Sequence, residues 1–357
     1  MDVKKNNIWL IVSGLVIGAL AVLLVAFGNP ANMGFCIACF IRDTAGSLGL
    51  HRAAAVQYVR PEIIGVVIGA SAVALFRREF VPRGGSAPMT RFVLGFFVMI
   101  GCLMFLGCPL RMVLRLGGGD LNALVGLAGF IVGIGGGVFF LNRGYSLKRT
   151  YSLPKLEGAL LPLATVALLL LLVAAPALLL FTEAGGGPGA AHAPLLLALA
   201  AGLLVGGLAQ RVRLCMVGGI RDLILFREYK LLLAFAAVLV AALVGALLTG
   251  SFKLGFIEQP VAHNDGLWNF LGMLLVGLGA VLLGGCPLRQ LVLAGEGQAD
   301  SAVTVLGLLV GAAFAHNFAL ASSAAGPTVN GKIAVIIGFV VMVLIAVLNS
   351  RGEKSAA

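Results

Sequence analysis

The sequence predicts an all-α polytopic membrane protein, an inverted-topology repeat of about ten membrane spans plus re-entrant half-helices. Three observations carry that expectation. First, 60% of the 357 residues are hydrophobic and only 11% are charged, with a mean hydropathy of +1.08; a soluble domain carries about 25% charged residues to cover its surface. Second, apolar runs of about the length that crosses a bilayer recur along the whole chain. Third, two cysteine signatures occur twice at almost the same spacing. This composition excludes a soluble enzyme, a disordered chain and a nucleic-acid binder, despite a formal net charge of +11 and a pI near 9.8.

The first span is 8–27. Lys4 and Lys5 precede it and no small-residue cleavage site follows, so it reads as a transmembrane helix rather than a signal peptide. The other spans are 62–76, 92–107, 121–141, 158–181, 193–209, 231–250, 267–285, 301–321 and 333–349. Those at 62–76, 92–107 and 193–209 are short for a full crossing. Between spans, the segments 34–50, 108–119, 211–229 and 286–300 are mildly apolar and rich in Gly and Arg. Such segments suit re-entrant pieces, because backbone that is not helical at membrane depth must be buried in protein or line a cavity.

With the N-terminus in the cytoplasm and spans alternating, eighteen Lys and Arg fall inside, among them Arg77, Arg143, Arg211, Arg351 and Lys354, and seven outside. That bias places both termini in the cytoplasm. It also accounts for the basic pI through anionic lipid rather than nucleic acid.

Cys36-Ile-Ala-Cys39-Phe-Ile-Arg42-Asp43 returns 179 residues later as Cys215-Met-Val-Gly218-Gly-Ile-Arg221-Asp222. Gly107-Cys108-Pro-Leu-Arg111 returns after 178 residues as Gly285-Cys286-Pro-Leu-Arg289, each copy leading to an Asp, Asp120 and Asp300. The expected organisation is a first repeat over 1–150, an extra inverting span within 151–190, a second repeat over 191–322, and a terminal span and tail over 323–357. Inverted repeats of this kind place a substrate site where broken helices from both halves meet.

Proline fits the first turn of a helix, so Cys108 and Cys286 read as N-caps of short helices. A helix N-terminus gathers anions and favours a thiolate, and Arg111 and Arg289, one turn on, add positive field. Arg42–Asp43 and Arg221–Asp222 read as local ion pairs that pin their segments. The substrate-path candidates are therefore Cys36, Cys108, Cys215 and Cys286, with Cys39, Arg111, Arg289, Arg42 and Arg221 in support. Cys102, mid-span and without a counterpart, reads as packing.

The remaining polar residues read more simply. His51 and His263 look interfacial and His192 lies in a loop, so all three suit solvated roles. His316-Asn317, near the end of a span, reads as a candidate site or a helix-contact pair. Glu62 has Arg60 as an obvious neutralising partner. No histidine–carboxylate cluster offers a metal set, and neither a cofactor nor a nucleotide motif is present. The chain is expected to be a transporter, not an enzyme.

Five stretches, GNPANMGFCIACFIRD (28–43), HRAAAVQYVRPE (51–62), FLGCPLRMVLRLGGGD (105–120), RLCMVGGIRD (213–222) and GGCPLRQLVLAGEG (284–297), resemble the YeeE/YedE family of sulphur-compound membrane transporters. QPVAHNDGLWNFLGM (259–273) and AFAHNF (313–318) extend the resemblance, which is nearest to the selenium-metabolism branch (YedE/FdhT). It implies import of a small selenium or sulphur compound, the selenium compound favoured and a thiosulphate-like anion next, handed inward by thiol contacts at Cys108 and Cys286, and at Cys36 and Cys215. It also implies a cytoplasmic TusA-like (YedF-like) carrier as acceptor. Cys39 beside Cys36 leaves two alternatives: a membrane thiol oxidoreductase using that pair, or a docking partner for the carrier.

Overall fold

A computed structural model describes residues 3–350, with side chains from Asn7 onward. The expected cytoplasmic residues Arg351 and Lys354, and the side chains of Lys4 and Lys5, lie outside the described residues.

The chain is an all-α polytopic membrane protein. Its helices are α1 (Val3–Ala26), α2 (Ile37–Ser47), α3 (Pro61–Phe76), α4 (Pro88–Phe105), α5 (Pro109–Gly117), α6 (Asn122–Asn142), α7 (Lys155–Ala174), α8 (Leu195–Val212), α9 (Met216–Phe226), α10 (Lys230–Leu248), α11 (Gly266–Leu282), α12 (Pro287–Gly295), α13 (Ala299–Asn317) and α14 (Val329–Ser350). Ten segments among the described residues are long and apolar enough to cross a membrane. Three of these are composite, each a long helix followed by a short one: α4–α5, α8–α9 and α11–α12, broken at Cys108, Cys215 and Cys286. The expected span 158–181 ends early, at Ala174, because Pro176 cannot supply the N–H that would continue the helix.

The duplicated signatures open helices of equal length: α2 and α9 have 11 residues each, α5 and α12 have 9 each. The main packing contacts also come in exchanged pairs. Helix α1 packs on α10 while α8 packs on α3; α6 packs on α11 while α13 packs on α4; α5 packs on α10 while α12 packs on α3. Backbone bonds follow the same exchange. Lys253 and Gly255 donate to Gly118 and Gly119 at the end of α5, as Val81 and Arg83 donate to Glu296 and Gly297 at the end of α12.

Glycine makes these contacts close. A Cβ on Gly129 or Gly133 of α6 would lie 2.1 Å from the carbonyl oxygen of Phe270 or Leu274 on α11. On Gly206 of α8 it would lie 2.1 Å from Val66 O on α3. Such small-residue faces let membrane helices approach through their backbones, where apolar side chains gain nothing by leaving lipid.

One asymmetry bears on the site. All eleven residues of α2 are buried, because the segment after α7 folds over its end: Leu180 N donates to Ser47 O, and Arg60 reaches the carbonyls of Pro188 and Ala191. Helix α9 has no such cover, and Leu223, Ile224 and Phe226 are exposed.

Candidate functional site

All four repeated cysteines are N-cap residues of short helices. Cys108 and Cys286 precede proline at the first helical position. Cys36 and Cys215 cap α2 and α9 through their sulphurs, which accept from Cys39 N and Gly218 N at 3.3 Å in both cases. Sequence reasoning identified the proline-marked pair as caps and missed the other two; a cysteine three residues ahead of the first-turn N–H was the available signal.

The short helices meet N-terminus to N-terminus. The Cys36 thiol faces that of Cys108, and the Cys215 thiol faces that of Cys286. In the second pair the sulphurs also face backbone N–H groups across the junction, Cys286 toward Met216 and Cys215 toward Cys286. Each junction therefore combines two thiols, already contacted by first-turn N–H groups, with two positive helix ends, a setting that favours a soft anion. Cys39 joins the first junction, its sulphur 2.7 Å from that of Cys36, and all six cysteines are free. Cys102 is buried in α4, part of the core.

The arginines differ between junctions. Arg111 is fully buried. It donates to the carbonyls of Asn32 (2.9 Å), Val261 (3.1 Å) and Leu106 and to the Cys39 sulphur (3.4 Å), and no carboxylate among the described residues lies within 4 Å. Its counterpart Arg289 pairs with Glu296 at 3.0 Å. Glu296 aligns with Gly118, so the first copy lacks the carboxylate. Burial raises the Glu296 carboxyl above the ordinary range although Arg289 opposes it.

Around α2 the polar groups are dense. Asp43 accepts from Arg42 at 2.6 Å and from Arg60 at 2.8 Å, all three buried. The expected local pairs are present, since Arg221 and Asp222 also meet, at 2.8 Å, though with about a quarter of each side chain exposed. Arg60 does not neutralise Glu62, as expected from their proximity in sequence. Two residues apart at a helix start, they point to different partners: Arg60 to Asp43, and Glu62 to the Asn29 amide at 2.8 Å. Arg115, which sequence reasoning left aside, is buried against Phe105 and paired with Asp120 at 2.6 Å, with Nη2 unpartnered. Asp300 is not the equivalent of Asp120: it accepts from Ser86 N at 3.2 Å and lies 3.8 Å from Arg91.

His51 and His263 are not solvated. They are buried, with Nε2 on the carbonyls of Arg42 (3.1 Å) and Met104 (2.8 Å) and Nδ1 accepting from the backbone N–H two residues on. Loss of water on burial holds both below the ordinary histidine value, although the bonds to the backbone carbonyls oppose it. Each ring stitches a loop to a helix end, which no local sequence pattern announces. The His316 ring lies against that of His51, with centroids 4.7 Å apart and the planes tilted by 31°. Among the described residues, no three His, Cys, Asp or Glu side chains converge as a metal set.

Residues 211–351 match a family model described as sulphur transport. That match covers 141 of the 357 residues, about two-fifths of the chain, all of them in its second half. It is also similar to the thiosulfate transporter TsuA of Escherichia coli (strain K12), with 32% identity over 119 residues. The similarity spans 32% of this chain and 32% of that relative, so about a third of each. Family and relative are transporters rather than enzymes. The family match contains Cys215, Arg221, Cys286 and Arg289, whereas Cys36, Cys39, Cys108 and Arg111 lie before it.

Proposed function

We propose that the chain is a permease that carries a small sulphur- or selenium-containing anion inward across the plasma (inner) membrane. Its path would run past Cys36 and Cys108, then Cys215 and Cys286. The observation that carries this reading is the pair of opposed half-helix junctions, each with two thiols at facing N-termini. Helix dipoles stabilise the anion's charge, and thiols make weak, reversible contacts with a soft chalcogen atom. The buried Arg111, without a carboxylate partner, supports an anionic cargo at the first junction.

In this reading the two repeats cross the membrane in opposite senses, with α7 supplying the flip and both termini in the cytoplasm. The exchanged packing pairs support a two-fold relation between the halves, and the single extra span, α7, between two sets of four spans supports their opposite senses. The relative's name supports thiosulphate, and the nearest branch by motif supports a selenium compound. A TusA-like carrier protein in the cytoplasm would accept the product.

Uptake into liposomes holding only the purified protein tests this. Labelled thiosulphate, selenite and hydrogen selenide are offered in turn, and Cys108→Ala and Cys286→Ala should each abolish uptake while the protein still folds and reconstitutes. Unchanged uptake in both variants refutes the thiol path. A second reading rests on the closeness of the Cys36 and Cys39 sulphurs: a thiol oxidoreductase passing electrons to a quinone. It requires an alkylation shift that depends on redox state, and activity that survives Cys286→Ala.

A further inference from the structure

The end of the molecule that carries the 77–87 loop and the end of α12 holds a polar cavity of about 340 Å³. Its lining includes Arg78, Arg83, Arg213 and Arg289 with Glu79 and Glu296. The two acids are engaged: Glu79 accepts from Arg77 at 2.9 Å and from the Gln210 amide at 2.7 Å, and Glu296 pairs with Arg289. Arg78, Arg83 and Arg213 have no carboxylate within 4 Å among the described residues. Arg289 links the cavity to the second junction, since it lies three residues after Cys286 in the same short helix.

We propose that this cavity is a binding site for a small oxyanion, a vestibule held by Arg78, Arg83 and Arg213 beside the Arg289–Glu296 pair. Two observations separate it from an ordinary basic surface. The first is backbone conformation. Arg78 and Arg213 stand just past the ends of α3 and α8 with φ of 57° and 54°. Glycine is the usual residue at a left-handed helix end; arginine takes both positions here at a cost in backbone energy, and both line the cavity, whereas Arg227, with φ of 55° at the end of α9, lies outside it.

The second is the comparison with the other end of the molecule. The backbone bonds that align Val81 with Lys253 and Arg83 with Gly255 also align Arg78 with Gly250. Gly250 indeed takes the left-handed conformation, with φ of 65°. The same frame thus carries glycines at one end and arginines at the other. A topology signal needs only that positive charge lie on the cytoplasmic side; it does not require three arginines to line one cavity. Two or three guanidinium groups around a space of this size suit a divalent oxyanion, each group offering paired N–H donors. That the bound anion is the transported one rests on the permease reading; the existence of the site does not.

Arginine modification tests the site without any transport measurement. The intact protein in phosphatidylcholine nanodiscs is treated with phenylglyoxal, with and without thiosulphate or sulphate, and labelled peptides are quantified by mass spectrometry. Sodium chloride at matched ionic strength controls for screening. At about ten times the half-protecting concentration, modification of Arg78, Arg83 and Arg213 should fall roughly ten-fold by mass action. Arg227, which has the same left-handed backbone at the end of α9 but lies outside the cavity, should be unaffected. Equal modification of all four with and without anion overturns the proposal. Protection that appears only in phosphatidylglycerol nanodiscs without added anion also overturns it, because the occupant is then a lipid headgroup. Protection alongside liposomes that take up no thiosulphate leaves the site standing and refutes the permease reading; uptake without protection does the reverse.

Discussion

Replacing Arg111 by glutamine is the sharpest perturbation of the first thiol junction. Arg111 is fully buried, and its partners are three carbonyls and the Cys39 sulphur, with no carboxylate among the described residues to neutralise it. A charge so placed interacts strongly with any anion that enters, because water does not screen it. A hydrogen bond to a charged group contributes about 1.5–3 kcal/mol, which corresponds to roughly a 10- to 150-fold change in affinity. Arg111→Gln should therefore raise the half-saturating concentration for thiosulphate uptake into liposomes by roughly that factor, with less effect on the maximal rate. Gly118→Glu adds a second arm by supplying the carboxylate that Arg289 has in Glu296. It should weaken uptake similarly while leaving Arg111 in place. A Cβ at Gly118 meets Asn32 Oδ1 at 2.5 Å, so Gly118→Ala measures the crowding alone and should retain most of the affinity. Half-saturation unchanged within about two-fold in both charge variants, with both proteins folded, would refute the role given to this arginine.

The scaffold makes further predictions. Asp43→Asn strands Arg42 and Arg60 in a buried site and should cost about 3–5 kcal/mol in thermal or denaturant unfolding of the solubilised protein. Its counterpart Asp222→Asn breaks a half-solvated pair and should cost about 0–1 kcal/mol. Gly133→Ala forces a methyl against Leu274 O and should lower stability by about 1–3 kcal/mol. Gly135→Ala, with nothing within 4 Å of the new methyl, should change it by less than about 0.5 kcal/mol. For pH, His51 and His263 have depressed values in the folded chain, so the unfolded chain binds more protons once pH falls below the ordinary histidine value near 6.5. Stability should decline from there downward, and His263→Asn should reduce that decline; an equal slope in wild type and variant would contradict the buried, neutral ring.

The spans were legible because bilayer crossing is a composition requirement: an uninterrupted apolar run leaves few alternatives. The half-helices were legible for a different reason. Cys-Pro marks a helix start through the missing N–H of proline, and the recurrence of Cys108-Pro-Leu-Arg111 as Cys286-Pro-Leu-Arg289 drew attention to it. What the sequence hid depends on contacts between distant segments. Nothing local says that Arg60 reaches over Glu62 to Asp43, or that His263 caps α4 through Met104 O. Arg115 was passed over because a buried cation in a short helix reads, in one dimension, like any other basic residue. Only the fold puts it against Phe105 and Asp120.

The two copies share a frame and diverge in charge. Helix lengths, packing partners and the backbone bonds at the ends of α5 and α12 repeat, while Cys39 faces Gly218, Gly118 faces Glu296, and Gly250 and Gly255 face Arg78 and Arg83. The repeated frame places two capping cysteines at each junction, and these substitutions change the charge around them. At the first junction the guanidinium of Arg111 is free of a carboxylate and a third thiol is present. At the second, Glu296 already occupies Arg289, and the free arginines sit further out in the vestibule. An anion leaving the first junction would therefore exchange a buried, uncompensated charge for a neutralised one, and then meet positive charge again where water can reach it. If the chain carries an anion along this path, that ordering would hold it most tightly beside Arg111, and it predicts that Glu296→Gln, by freeing Arg289, tightens retention at the second junction and slows release. Counterflow of labelled thiosulphate from preloaded liposomes would register this as a lower exchange rate, and a rate equal to or above wild type would contradict it.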